Sequence, residues 1–142
     1  LFYPYHLYHP MLSRQTEDQI QGLLNRFCDL YSQKDREGIL SMVAPDMMGF
    51  GRRADEIIKD RDEMERHLRR DFDKVDSLSV RMADCTIKAE GTIGWVMGEI
   101  TFSADENEIP CRLTMVLRGT GHRWEIVQMH ISRPTGDQAE GK

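Results

Sequence analysis

Cysteine, basic clusters and long apolar runs are all scarce in this sequence, and each shortage excludes a class of protein. The three cysteines, Cys28, Cys85 and Cys111, are widely spaced and form no Cys-x-x-Cys or Cys/His ligand pattern. Such spacing argues against a structural zinc site and against a disulfide framework. We therefore expect reduced thiols, a cytoplasmic location and no bound metal.

Lysine and arginine are outnumbered by aspartate and glutamate, 19 to 24, which gives a formal net charge of −5. The densest basic segment, residues 61–70, is interrupted by acidic residues and is typical of a solvated helix face. Duplex binding depends on clustered Lys and Arg, so no nucleic-acid partner is predicted. No apolar run approaches the roughly 20 residues of a membrane span, and the start lacks a signal-peptide pattern, so no membrane partner is predicted.

The clearest positive pattern is a pair of alternating segments around a glycine-rich turn. Residues 111–118 alternate apolar and polar side chains, residues 119–122 read Gly-Thr-Gly-His, and residues 124–132 alternate again. Alternation with period two across a short turn predicts a β-hairpin. One predicted face is apolar and carries Leu113, Met115, Leu117, Val127, Met129 and Ile131. The other carries Arg112, Thr114, Val116, Ile126, Gln128, His130 and Ser132.

The first half of the chain is predicted to be mainly helical. Residues 16–33 begin with a Thr-x-x-Gln capping-box pattern and carry apolar residues at three- and four-residue spacing. A second, short helix is expected over residues 35–43, a short strand over 46–51 and a third helix from about residue 60 to 72. Strands are expected over residues 78–90 and 92–103, before the hairpin.

Helices and strands are thus segregated along the chain, which predicts an α+β fold with the helices stacked on one face of a curved antiparallel sheet. Residues 1–14 are expected to be an N-terminal extension, non-native before Met11. A single domain is expected over residues 15–134, and a flexible tail over residues 135–142.

Short motifs along this domain resemble the SnoaL-like domains of the nuclear-transport-factor-2-like (NTF2-like) superfamily. They are Phe27-Cys-Asp-Leu-Tyr-Ser-Gln-Lys-Asp35, Ala44-Pro-Asp46, Gly49-Phe-Gly51, Gly94-Trp-Val, Arg112-Leu-Thr-Met-Val and the closing segment 124–132. The resemblance covers residues 17–134.

This resemblance implies an NTF2-like cone, in which about three N-terminal helices pack on the concave face of the sheet. It also implies a pocket between sheet and helices, and a homodimer packed through the outer sheet face. Members include isomerases, cyclases, dehydratases, ligand-sensing modules and oligomerisation domains, so the fold leaves the function open.

Ketosteroid-isomerase chemistry is not expected from the resemblance. Such an enzyme needs a general base on the first strand and hydroxyl donors for an oxyanion. The family's helix tyrosine falls on Phe27 and its base falls at or near Gly51, and neither side chain can perform these tasks. A dehydratase or epoxide hydrolase would need two or more acids or histidines on the inward face. Catalysis is therefore not supported by the motifs, and no cofactor is predicted.

A polar cluster is predicted on the second face of the hairpin. Antiparallel pairing is expected to place Arg112 opposite His130, with Glu99 joining from the preceding strand. These groups could hold a small carboxylate, or move a proton through His130 with Glu99. The predicted ligand-binding residues are Trp95, Met97, Glu99, Arg112, Thr114, Gln128, His130, Phe27, Tyr31 and Phe50.

Simpler interpretations remain open at this point. Glu99 and Arg112 also fit a cross-strand ion pair, and His130 fits a sheet or interface histidine. Arg52 and Arg53 fit either an anion-attracting pocket mouth or an exposed pair offset by nearby acids, and the exposed pair is favoured.

Three functions follow from these patterns. The first is a dimeric domain that binds a small, partly apolar molecule. The second is an isomerase, lyase or hydrolase that uses His130 and Glu99, and the third is a dimerisation module without a ligand.

Overall fold

A computed structural model describes residues 12–135. In chain order its elements are α1 (Arg14–Ser32), α2 (Arg36–Leu40), β1 (Val43–Phe50), β2 (Ile57–Ile58), α3 (Arg61–Asp73), β3 (Leu78–Glu90), β4 (Ile93–Ala104), β5 (Asn107–Gly119) and β6 (Trp124–Ser132). The predictions of an extension before Met11 and of a tail beyond residue 135 lie outside the described residues.

The six strands form one curved, unclosed sheet in the order β2-β1-β6-β5-β4-β3. Strands β3 to β6 are an antiparallel meander, as predicted, while β1 joins β6 in parallel and β2 pairs antiparallel with β1. The α+β prediction is therefore confirmed. The two-residue strand β2 was not predicted, because two apolar residues carry no readable period.

A β-bulge in β6 corrects the predicted faces of the hairpin. Leu117 pairs with Ile126 whereas Val116 pairs with Gln128, so Val127 is an extra residue in the ladder. Ile126 is consequently fully buried and Val127 only half-buried, the reverse of the assumed alternation.

The predicted pairing of the polar residues is wrong by two positions, of which the bulge accounts for one and the register at the turn for the other. His130 lies opposite Thr114 rather than Arg112, and Arg112 pairs with Ser132. Period-two patterning shows no sign of an inserted residue, so the register near a bulge is fixed only by the completed sheet.

The helices cover one face of the sheet. Helix α1 begins at the N-cap Ser13, not at Thr16, because the Thr16 amide donates to Ser13 Oγ at 3.0 Å. Its apolar stripe, which includes Ile20, Leu24 and Phe27, is fully buried against the sheet. Among the described residues no helix is both long and apolar enough to cross a membrane.

Helix α3 begins at the N-cap Asp60, whose Oδ1 accepts the Glu63 amide at 2.8 Å. Its predicted inward row of Met64, Leu68 and Phe72 is buried. This packing fixes the side of α3 that faces the sheet near β1 and β2.

Within residues 12–135, no helix packs on the opposite face of the sheet. It exposes a set of large apolar side chains: Met48, Phe50, Ile57, Ile93, Trp95 and Met97. We call this surface the outer face.

Candidate functional site

A small cavity of about 60 Å³ lies between α3, the end of α1 and the sheet. Its wall is largely apolar and includes Ile58, Met64, Leu68, Phe72, Phe102 and Met129. Five polar or charged side chains also line it: Tyr31, Arg52, Glu56, His67 and Asp71. An apolar cavity with a few converging polar groups is the usual form of a small-molecule site.

Glu56 brings a carboxylate into this cavity from the loop between β1 and β2. Glu56 is only 4 % exposed, and a glutamate is rarely this buried unless its carboxylate is paired with other groups. The Arg53 amide donates to Glu56 Oε1 at 3.2 Å, and Arg70 Nη2 donates to Glu56 Oε2 at 3.2 Å. These contacts hold the carboxylate in one orientation.

Gly51 leaves the space that the Glu56 carboxylate fills. A Cβ added at Gly51 would lie 2.3 Å from Glu56 Oε1 and 2.8 Å from Glu56 Cβ. The Gly51 amide also donates to the Glu56 carbonyl at 2.8 Å, which closes the loop. Position 51 has no side chain of its own, yet a carboxylate from five residues later stands beside it.

Asp71, on α3, is the second carboxyl group of the cavity. Burial, together with the hydrogen bond and the charge of Glu56, raises the pKa of Asp71 to about 7, while Arg53 and Arg70 act in the opposite direction. Burial alone would raise the pKa of Glu56, but its hydrogen bonds to Asp71 and Arg53 and nearby arginine charges lower it below its usual range. Near neutral pH Glu56 is therefore ionised, while Asp71 exchanges between its protonated and ionised forms.

Arg70 links this carboxyl pair to the surface. Its Nη1 donates to Asp55 Oδ2 at 2.7 Å, while its Nη2 contacts Glu56. Arg70 Nε and Asp71 Oδ1 are 3.6 Å apart, and within residues 12–135 neither of these buried atoms has a hydrogen-bond partner. Buried polar atoms without a partner are rare in proteins.

Tyr31 and His67 complete the polar side of the cavity. Burial, and then the charges of Asp71 and Glu56, raises the pKa of Tyr31 well above its ordinary value, so its phenol stays protonated. Its ring lies edge-on to Phe72 at 5.2 Å and to Phe102 at 5.6 Å. His67 Nδ1 lies 3.3 Å from Arg70 Nη2.

The ten predicted ligand-binding residues fall in three places. Tyr31 lines the cavity. Phe50 borders the cavity but belongs to the outer face, where half of its side chain is exposed and its ring lies 5.5 Å from that of His130. Phe27 is fully buried in the core. The remaining seven lie on the outer face, not in the space between sheet and helices: Trp95, Met97, Glu99, Arg112, Thr114, Gln128 and His130.

Most of the predicted polar cluster does come together on the outer face. An open groove of about 510 Å³ collects Met97, Glu99, Arg112, Thr114 and His130. Glu99 is the register partner of Arg112, yet within residues 12–135 the two form no ion pair of 4 Å or less. Ligand binding by this groove stays a prediction.

Sequence reasoning missed Glu56, His67 and Asp71. Asp71 follows Met64 by seven residues and so falls on the apolar row of α3, where a charged side chain indicates a buried carboxyl group. No such signal marks Glu56 in the sequence, because loop residues follow neither helical nor strand periodicity.

The view of Arg52 and Arg53 as a merely exposed pair is wrong. Arg52 lines the cavity, and Arg53 Nη1 lies 4.0 Å from Asp71 Oδ1. Within residues 12–135, no group of three His, Cys, Asp or Glu side chains has the arrangement of a metal site.

Comparison with known proteins identifies the fold. A family model described as a SnoaL-like domain matches residues 20–136. An NTF2-like protein of unknown function from Pseudomonas putida KT2440 superposes with a TM-score of 0.83 at 19 % identity, over 92 % of this chain and 94 % of that one. A proposed dehydratase of the NTF2-like family from Streptomyces avermitilis superposes with a TM-score of 0.76 at 15 % identity, over 87 % and 100 % of the two chains. No curated protein shows a significant sequence match.

We expect Gly51→Ala to break the carboxyl pair. The added methyl group would overlap Glu56, so the carboxylate must move and the pKa of Asp71 should fall towards that of an ordinary aspartate. Carboxyl ¹³C NMR titration measures this pKa. Gly22→Ala is the control, because nothing lies within 4 Å of a Cβ at Gly22 in α1. It should leave Asp71 unchanged, and an unshifted Asp71 in Gly51→Ala would contradict the assignment.

Asp71→Asn should change how stability depends on pH. Because the pKa of Asp71 is raised to about 7, the folded chain binds more protons than the unfolded chain between about pH 4 and pH 7. The free energy of unfolding should therefore fall as pH rises through this window, by at most about 1.4 kcal/mol per pH unit. Urea unfolding at intervals from pH 4.5 to 8 should show a flatter profile for Asp71→Asn. The exposed neighbour Asp73→Asn should keep the wild-type slope, and equal slopes in all three proteins would refute the raised pKa of Asp71.

Proposed function

Because the chain belongs to the SnoaL-like family of the NTF2-like superfamily, in which one fold serves many functions, we propose a function from its site rather than from its fold. The protein binds a small, partly apolar molecule in the cavity between α3 and the sheet, and it catalyses proton transfer on that molecule. The observation that carries the proposal is the position of the Glu56 and Asp71 carboxyl groups, which line the same small cavity, with Glu56 only 4 % exposed. Burial and the neighbouring Glu56 raise the pKa of Asp71 to about 7, which suits a group that exchanges protons near neutral pH.

A carboxylate beside a carboxylic acid can accept one proton and donate another in the same turnover. The ionised Glu56 takes a proton from a C–H or O–H group of the substrate, and Asp71 gives its proton to a substrate oxygen. A proton passed from Glu56 to Asp71 along their hydrogen bond restores the starting state. The protonated phenol of Tyr31 is a donor for negative charge that develops on a substrate oxygen.

This chemistry fits lyases and isomerases. In the elimination of water, for example, a base removes a C–H proton while an acid protonates the hydroxyl group that leaves. The likeness to a proposed dehydratase supports this class, although at 15 % identity it carries only the fold. The inward-facing acids that a dehydratase requires are thus present as Glu56 and Asp71.

The sequence-based alternative places catalysis at Glu99 and His130. Both side chains are exposed on the outer face, where water solvates them and weakens any electrostatic effect on a substrate. The cavity is therefore the better-supported site.

Methionine methyl groups can report which of the two sites binds. Met64 and Met129 line the cavity, while Met48 and Met97 are exposed on the outer face. In ¹³C-methyl NMR with a panel of small ketones and carboxylic acids, we expect bound compounds to shift Met64 and Met129. Shifts confined to Met97 would instead favour the outer-face groove.

Catalysis can be tested by exchange of substrate protons with solvent. In D₂O the wild-type protein should speed deuterium incorporation next to the carbonyl group of cyclohexanone or levulinate, followed by ¹H NMR. Glu56→Gln removes the base and should slow this exchange by about tenfold or more. Glu99→Gln tests the alternative site on the outer face. If only this variant loses exchange, the reaction takes place at Glu99 and not at Glu56. Equal rates with and without Glu56 would contradict the proposal.

The same proposal includes a homodimer formed through the outer face. Large exposed apolar side chains, among them Met97 at 62 % and Trp95 at 41 %, are typical of a surface that a partner covers. Glu99 and Arg112 lie side by side among them, so a two-fold axis allows the glutamate of one copy to meet the arginine of the other.

Met97→Glu should weaken this dimer, because it places a charge among the apolar contacts. Light scattering coupled to size exclusion at micromolar concentration should give a dimer for the wild type and a monomer for the variant. Asn25→Glu adds the same charge at an exposed position on α1 and should remain dimeric. A monomeric wild type would contradict the interface.

A further inference from the structure

Arg52 is a guanidinium at the cavity whose charge acts on Glu56 only from a distance. It is half-buried and lines the cavity, with its Cζ 6.0 Å from the centre of the Phe102 ring. Within the part of the chain that the structure describes, it takes part in no ion pair of 4 Å or less and its side chain donates no hydrogen bond. A guanidinium has five donors, and leaving them unused in a partly closed space is costly.

Unlike Arg52, the neighbouring Arg53 and Arg70 lie close to acidic side chains. Arg53 lies 4.0 Å from Asp71, and Arg70 binds Asp55 and Glu56. While Asp71 keeps its proton, three guanidinium groups therefore face only two carboxylates. Arg52 is the one of the three whose side chain has no ion pair or hydrogen bond within residues 12–135, and it lies on the side of the cavity formed by the β1–β2 loop and the Phe102 ring.

We infer that the ligand of this cavity is a small carboxylic acid, bound with its carboxylate on Arg52 and its apolar body against Ile58, Met64 and Phe102. This inference rests on the proposed function and adds the chemical class of the substrate. A planar guanidinium matches a carboxylate with two parallel hydrogen bonds. A monoanion balances the one surplus charge, whereas a phosphate would bring a second negative charge towards Glu56.

The placement also orients the ligand for the proposed chemistry. Arg52 and the carboxyl pair line the same small cavity, so an acid held by Arg52 presents the carbons next to its carboxylate to Glu56 and Asp71. Arg52 thus determines which molecules bind and which of their atoms meet the pair.

Probes that share a propyl chain and differ in their head group test the inference. Butyrate, butyramide and propyl phosphate are titrated separately into the full chain, and binding is read from the methyl groups of Met64 and Met129. The wild type should bind butyrate about tenfold or more tightly than butyramide, the difference expected of charge-assisted hydrogen bonds. Arg52→Gln should lose this preference while it still binds the amide, and Arg52→Lys should keep part of it.

Arg26→Gln is the matched control, since it removes one positive charge from an exposed position on α1 that does not line this cavity. It should bind butyrate like the wild type. Equal binding of butyrate and butyramide by the wild type, or tighter binding of propyl phosphate, would overturn the inference and leave the cavity function intact. If no probe shifts Met64 or Met129, both the inference and the proposed function fail.

Discussion

Two carboxyl groups, Glu56 from the loop after β1 and Asp71 from α3, meet where water can solvate neither of them fully. Two negative charges side by side in such a place repel each other, and burial and the charge of Glu56 raise the pKa of Asp71 to about 7. Asp71 therefore gains and loses its proton near neutral pH. The position of each neighbouring arginine follows from this constraint, because Arg53 and Arg70 compensate the charge that remains.

Simple local features of the fold bring Glu56 and Asp71 together. The Asp60 cap fixes where α3 begins, and the inward row of Met64, Leu68 and Phe72 determines that Asp71 faces the sheet. On the other side, the absent side chain of Gly51 makes room for Glu56. In the sequence, Gly51 stands where the family's base is expected and has no side chain. In the folded chain, the Glu56 carboxylate occupies the space beside it.

The two faces of the sheet differ in what covers them and in which side chains they carry. The inner face, covered by α1 and α3, contains the core and the cavity. The outer face contains apolar side chains beside Glu99, Arg112 and His130, which is the composition of a surface that meets another molecule. Polar side chains can thus meet in one groove and still lie on the opposite face of the sheet from the cavity.

The sequence alone determined the order of the elements except the short strand β2, the α+β class and the family, because apolar periodicity and short motifs are local properties. It also determined the bounds of β3 and β6 and the inward row of α3. Only the tertiary structure decided the register of β6, which places His130 opposite Thr114, and the face on which Glu99 and Arg112 lie. The pairing of Glu56 with Asp71 was likewise beyond the sequence, because residues fifteen positions apart were joined by the packing of α3 against the sheet.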